Sequence, residues 1–98
     1  MQVAQTILNQ LGGINRLKLM VGANKIIYSS DMVKFYFKGS KKANLCKITL
    51  TDSDTYLIQF YKFIPKNLNF NPVKEYNDVY CDQLVKIFEE ETGLYLSL

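Results

Sequence analysis

The spacing of apolar residues changes period along this chain, and each change marks an element. Val3, Ile7, Leu8 and Leu11 recur at helical spacing and Gly12-Gly13 follows as a stop, which predicts a short amphipathic helix at the start. From residue 16 the period becomes two. Leu17, Leu19 and Val21 alternate with Arg16, Lys18 and Met20, predicting a strand that ends in the turn Gly22-Ala23-Asn24. Residues 25–29 read as a second strand whose inward side is undecided, because Ile26 and Ile27 are adjacent. Residues 32–38 alternate most cleanly, with Val33, Phe35 and Phe37 set against Lys34, Tyr36 and Lys38. After a polar loop at 39–44, residues 45–51 and 55–63 form a hairpin around Asp52-Ser53-Asp54. Residues 65–72, rich in asparagine and bounded by prolines, read as a loop. Tyr80, Leu84, Ile87 and Phe88 then make a helical stripe over 78–92, capped by Asn77 or Asp78 and closed by Gly93.

These elements predict an α+β fold: a short N-terminal helix, an antiparallel meander sheet of about five strands, and a longer C-terminal helix packed on one sheet face, because an apolar sheet face must be covered. Leu84 and Phe88 are expected to dock against Phe35, Phe37, Ile48 and Phe60. The 98 residues suit a single domain over 1–98, and 13 Tyr and Phe side chains are ample for its core. The most apolar stretch, Tyr56–Ile64, falls far short of the ~20 residues that span a bilayer, so no membrane partner is expected. No basic-then-apolar leader opens the sequence, which places the expected protein in the cytoplasm. Cys46 and Cys81 lack a CxxC partner, and the chain has no histidine. A structural zinc therefore fails on ligand count, and two buried thiols are expected rather than a disulfide.

The net charge of +3 conceals a sorted distribution. Residues 1–66 hold Arg16 and nine lysines against Asp31, Asp52 and Asp54, a balance of +7. Residues 67–98 hold Lys74 and Lys86 against six acids, a balance of −4. On the side of the strands opposite the apolar positions stand Arg16, Lys18, Lys34, Tyr36, Lys38, Lys47 and Tyr61. Cations beside flat rings are what a single-stranded nucleic acid requires: charge for the phosphates, faces for the bases. Lysines alternating with apolar residues also serve to keep a sheet's outer face wet. The stretch Lys38-Gly39-Ser40-Lys41-Lys42 lacks the spacing and strand-to-helix context of a phosphate loop and reads as a solvated turn.

Glu89, Glu90 and Glu91 close the last helix, where the macrodipole disfavours negative charge by ~0.3–1 kcal/mol each. Helix stability does not account for them. Solvation alone is the commonest reading; the sharper one is that this acidic end meets a basic surface, which is the chain's own sheet, a second copy of the chain as a homodimer, or a protein partner that normally binds nucleic acid. Catalysis has little to work with. The side chain titrating nearest neutral pH is missing, and Asp52 and Asp54 read as turn formers rather than metal ligands. No cofactor, no metal and no enzymatic activity are expected.

Three stretches look familiar together: Leu11-Gly12-Gly13-Ile14-Asn15-Arg16 running into Val21-Gly22-Ala23-Asn24; Ile48-Thr49-Leu50 with Asp54-Thr55-Tyr56 and Phe60; and Tyr76-Asn77-Asp78-Val79-Tyr80-Cys81-Asp82-Gln83-Leu84 through Phe88-Glu89 to Thr92-Gly93-Leu94-Tyr95. In these the chain resembles small uncharacterised proteins carried by bacteriophages, prophages and other mobile elements. Members often show Thr-Gly-Ala-Lys where this chain has Val21-Gly22-Ala23-Asn24, so nothing tied to that Thr or Lys carries over. The resemblance implies an accessory protein acting in a bacterial cytoplasm, without implying an activity. The leading expectation is stoichiometric binding of a protein partner, as an inhibitor or modulator of host or phage machinery. The alternative is a single-stranded DNA or RNA binder using the basic, tyrosine-bearing sheet face.

Overall fold

Helix α1 (Gln2–Gln10) buries Ile7 and Leu8, the first two core residues among those described. In this computed structural model, residues 2–94 are described, the side chains of Gln2 and Ala4 excepted. Gly12 and Gly13, both at positive φ, turn the chain directly into a second helix, α2 (Ile14–Val21). Strands β1 (Asn24–Tyr28), β2 (Met32–Tyr36), β3 (Leu45–Leu50), β4 (Tyr56–Ile64) and β5 (Asn69–Val79) then form one antiparallel meander, each pairing with the next. A single 3₁₀ turn (Cys81–Gln83) leads into the last helix, α3 (Leu84–Thr92).

The core is one sheet face under helices. Val33, Ile48 and Ile58 lie side by side on β2, β3 and β4, and Phe35, Cys46 and Phe60 form the adjoining row. Ile7, Leu8 and Leu11 at the N-terminus, Leu17 and Val21 from α2, and Leu84 and Phe88 from α3 join them in one cluster. Phe88 sits at its centre, with ring centroids 6.0, 5.2 and 6.1 Å from Phe35, Phe37 and Phe60. The expected docking of Leu84 and Phe88 on the sheet is therefore present. So is the left-handed Gly93 after α3, whose N–H donates to the Glu89 carbonyl.

Two elements differ from expectation, and each has a physical cause. Residues 16–21 are helix, not strand. Leu17 and Val21 are buried and Met20 packs against the core, an i, i+3, i+4 face, while Leu19 between them is 80 % exposed. A short alternating run contains such a face by arithmetic, so period alone does not separate the two. Gly22 at φ 66° ends the helix, and the Ala23 N–H reaches back to the Leu17 carbonyl.

Residues 69–79, of which 69–72 are expected in a loop and 78–79 in the last helix, are the longest strand. β5 is an edge strand exposed on both faces from Asn69 to Glu75, and only Tyr76 and Val79 near its end reach the core, so no buried side writes an alternation along its length; backbone pairing with β4 holds it instead. Pro72 is tolerated there because an edge leaves one row of backbone groups unpaired. The helix start accordingly moves downstream: Tyr80 is its exposed approach, and the Tyr80 N–H donates to Gln83 Oε1 at 3.0 Å in place of a cap by Asn77 or Asp78.

Both cysteines are free. Cys46 is fully buried between Phe35 and Phe60, where burial pushes its thiol well above the ordinary range. Cys81 is exposed, contrary to the expectation of two buried thiols, because the 3₁₀ turn lifts it off the core. Iodoacetamide should therefore modify Cys81 alone in the folded protein and both residues in urea; rapid double labelling of the native form by mass spectrometry would contradict the burial of Cys46.

Candidate functional site

The helices cover one face of the sheet and leave the other open. Two rows of side chains cross that open face over all five strands. The first runs Ile27, Lys34, Lys47, Gln59, Glu75; the second runs Asn24, Tyr36, Leu45, Tyr61, Pro72. In β1 the open question of side is resolved: Ile26 packs inward and Ile27 is exposed on the face.

Lys34 and Lys47 are direct cross-strand partners. Two like charges set opposite each other disfavour the fold by a few tenths of a kcal/mol, ~0.2–1 by the scale of cross-strand pairs. Their row offers no acid until Glu75 on the far strand, and Gln59 Nε2 donates to that carboxylate at 3.1 Å. Sheet stability does not explain the pair.

Beside the lysines lies an aromatic cluster. Tyr36 meets Phe63 edge to face at 5.7 Å, and Phe63 stacks against Phe70 across β4 and β5 at 4.6 Å. Lys25 Nζ stands 5.5 Å from the centre of the Tyr36 ring, within cation–π range. Leu45 is buried outside the main core, with Tyr36 and Tyr61 as its row neighbours. It lines a hollow of about 190 Å³ together with Lys34, Lys47, Tyr61 and Phe70. A larger hollow of about 390 Å³ along β4 and β5 places Lys74 beside Glu75, so its charges oppose each other.

Of the residues named from the sequence, Lys34, Tyr36, Lys47 and Tyr61 come together here. Arg16 and Lys18 do not: the segment that was to carry them on the sheet is α2, whose Leu17 and Val21 enter the core on the covered side. Lys38 lies beyond the end of β2, with its side chain against Gly22 and its N–H bonded to the Val21 carbonyl. Sequence reasoning missed Phe63, Phe70, Leu45 and Lys25. Phe63 shares the parity of Gln59 and Tyr61 and was legible on that ground. Phe70 was not, since nothing marked its segment as a strand.

The acidic end is less available than its composition suggests. The Tyr76 hydroxyl donates to Glu91 Oε2 at 3.0 Å, tying β5 to α3. Burial, and then this hydrogen bond with the charges of Glu91 and Glu90, raise the Tyr76 pKa. Glu89 and Glu91 are half-buried, which leaves Glu90 as the exposed member of the three.

Among the described residues no group of Cys, Asp or Glu is arranged to hold a metal ion, and no helix is long and apolar enough to cross a membrane. Compared with known proteins, the chain matches no family model, no curated protein and no solved structure.

Proposed function

We propose that this protein binds single-stranded nucleic acid across the open face of its sheet, without catalysis, in the bacterial cytoplasm where its resemblance to mobile-element proteins would place it. The observation that carries the proposal is the Lys34–Lys47 pair, two cations facing each other across β2 and β3 that line one hollow with Tyr61 and Phe70, with no acid in their row before Glu75. Phosphates neutralise such a pair, and unpaired bases stack on such rings. A protein partner docking on Glu89, Glu90 and Glu91 would find one carboxylate already engaged by Tyr76 and one half-buried, so the basic face is the better supported surface.

Titration of a short fluorescent oligothymidylate tests this. Tyr61→Ala and Phe70→Ala should each weaken binding by ~1–3 kcal/mol, the usual loss for one stacked base. Lys34→Gln with Lys47→Gln should make the slope of log affinity against log salt less steep by ~1.4, two single-strand contacts' worth. The same sequence presented as a duplex should bind far more weakly. Unchanged affinity in both ring variants, together with an unchanged salt slope in the lysine double variant, would end the proposal. An acidic protein retained after nuclease treatment, lost with the lysine pair and indifferent to the rings, would reassign the face to a protein ligand.

A further inference from the structure

The meander sorts charge along the strands in a way the linear sequence does not display. Successive turns of a meander fall at alternate ends of the sheet. The β1–β2 and β3–β4 turns share one end, where the Leu50 N–H donates to the Asp31 carbonyl; this end holds Asp31, Asp52 and Asp54. The loop between β2 and β3 and the hairpin between β4 and β5 share the other, which holds Lys38, Lys41, Lys42 and Lys66. The first strand begins and the fourth finishes at this basic end, adding Lys25 and Lys62. Every ring of the open-face cluster lies in the last rows of the sheet at the same end.

The lysine loop is fixed in place rather than loose. Asn44 pairs with Phe63 as a strand residue would: its side-chain amide donates to the Phe63 carbonyl at 2.9 Å and accepts from the Phe63 N–H at 2.7 Å. The Asn44 N–H donates to the Tyr61 carbonyl, Ala43 is fully buried, and the Lys42 N–H is held by Ser40 Oγ. Lys41 and Lys42 are thus presented, exposed, from a loop bonded to the backbone of two of the cluster's aromatic residues.

Resting on the nucleic-acid assignment above, we infer that the nucleic acid crosses the sheet transversely at its basic end, with Lys41 and Lys42 at the β2–β3 loop and Lys66 at the β4–β5 hairpin as phosphate anchors and the rings of β2, β4 and β5 alongside them as the base platform. The two anchors are separated by about two strand spacings, ~10 Å. The acidic turns at the opposite end repel phosphate and so exclude a path running along the strands.

The test compares two charge-matched triple variants in the same oligothymidylate salt titration: Lys41→Gln with Lys42→Gln and Lys66→Gln, and Arg16→Gln with Lys18→Gln and Lys86→Gln on the helices. Melting curves establish that both are folded. The first triple should flatten the salt slope by about 2, at ~0.7 per single-strand contact, while the helix triple leaves it unchanged. Equal flattening by both would show net charge acting at a distance and overturn the inference. No flattening by the first triple, with a reduced slope in the Lys34→Gln, Lys47→Gln variant, would overturn the transverse path and leave binding on the face intact. No effect of either the Lys34 and Lys47 pair or the Tyr61 and Phe70 pair would instead remove the underlying assignment.

Discussion

Replacing Phe88 by alanine should destabilise the protein by ~3–5 kcal/mol, the range for deleting a buried aromatic ring and leaving a cavity. Phe88 is 1 % exposed and is the ring on which Phe35, Phe37 and Phe60 converge, so its removal takes apolar contact from α3 and from two strands at once. A domain of this size has roughly 5–15 kcal/mol in total. The variant should therefore melt far below the wild type, and α3 should lose its hold on the sheet. Phe88→Leu keeps most of the volume and should lose much less. Urea unfolding monitored by circular dichroism gives the difference directly. A loss under about 1 kcal/mol for Phe88→Ala would mean that the ring cluster collapses around the gap or that α3 is not docked as described.

Leu17 and Leu19 should respond in opposite ways to substitution. In α2, Leu17 is fully buried and Leu19 is 80 % exposed. Leu17→Ala should then cost about 2–5 kcal/mol, whereas Leu19→Lys should stay within about 0.5 kcal/mol of wild type. Were residues 16–21 a strand, both leucines would face the core and both variants would be strongly destabilised. Parallel melting of the two proteins separates these structures, and a large loss for Leu19→Lys would rule the helix out.

Why residues 16–21 and 69–79 misled while 32–36 and 45–50 did not is a matter of what burial writes into a sequence. β2 and β3 are covered on one face, so Val33 and Phe35, then Cys46 and Ile48, fall at strict period two. Residues 16–21 satisfy period two and an i, i+3, i+4 face together, and only the position of the core chooses between them. β5 takes its conformation from β4 rather than from its own apolar residues. The expected count of five strands was met with a different membership: one predicted strand became a helix, and one predicted loop supplied the edge. The candidate site inherited the same split. Lys34, Tyr36, Lys47 and Tyr61 lie on elements that the alternation identified, and they meet. Arg16 and Lys18 went with the misread segment, and Phe70 was hidden in the other.

The sequence by itself determined the α+β class, the apolar face under a C-terminal helix, the left-handed glycine after that helix and the excess of lysine opposite the core. Each follows from local spacing or from the stereochemistry of one residue type, and neither depends on distant contacts. Only the tertiary structure decided that Lys34 stands opposite Lys47, that Phe63 and Phe70 stack beside Tyr36, and that Glu91 is engaged by Tyr76. Register and edge pairing are set by how the whole sheet closes its backbone hydrogen bonds against its neighbours. The separation of lysine from aspartate at opposite ends has the same origin, since a meander alternates its turns and thereby converts neighbours in sequence into opposite poles of the sheet.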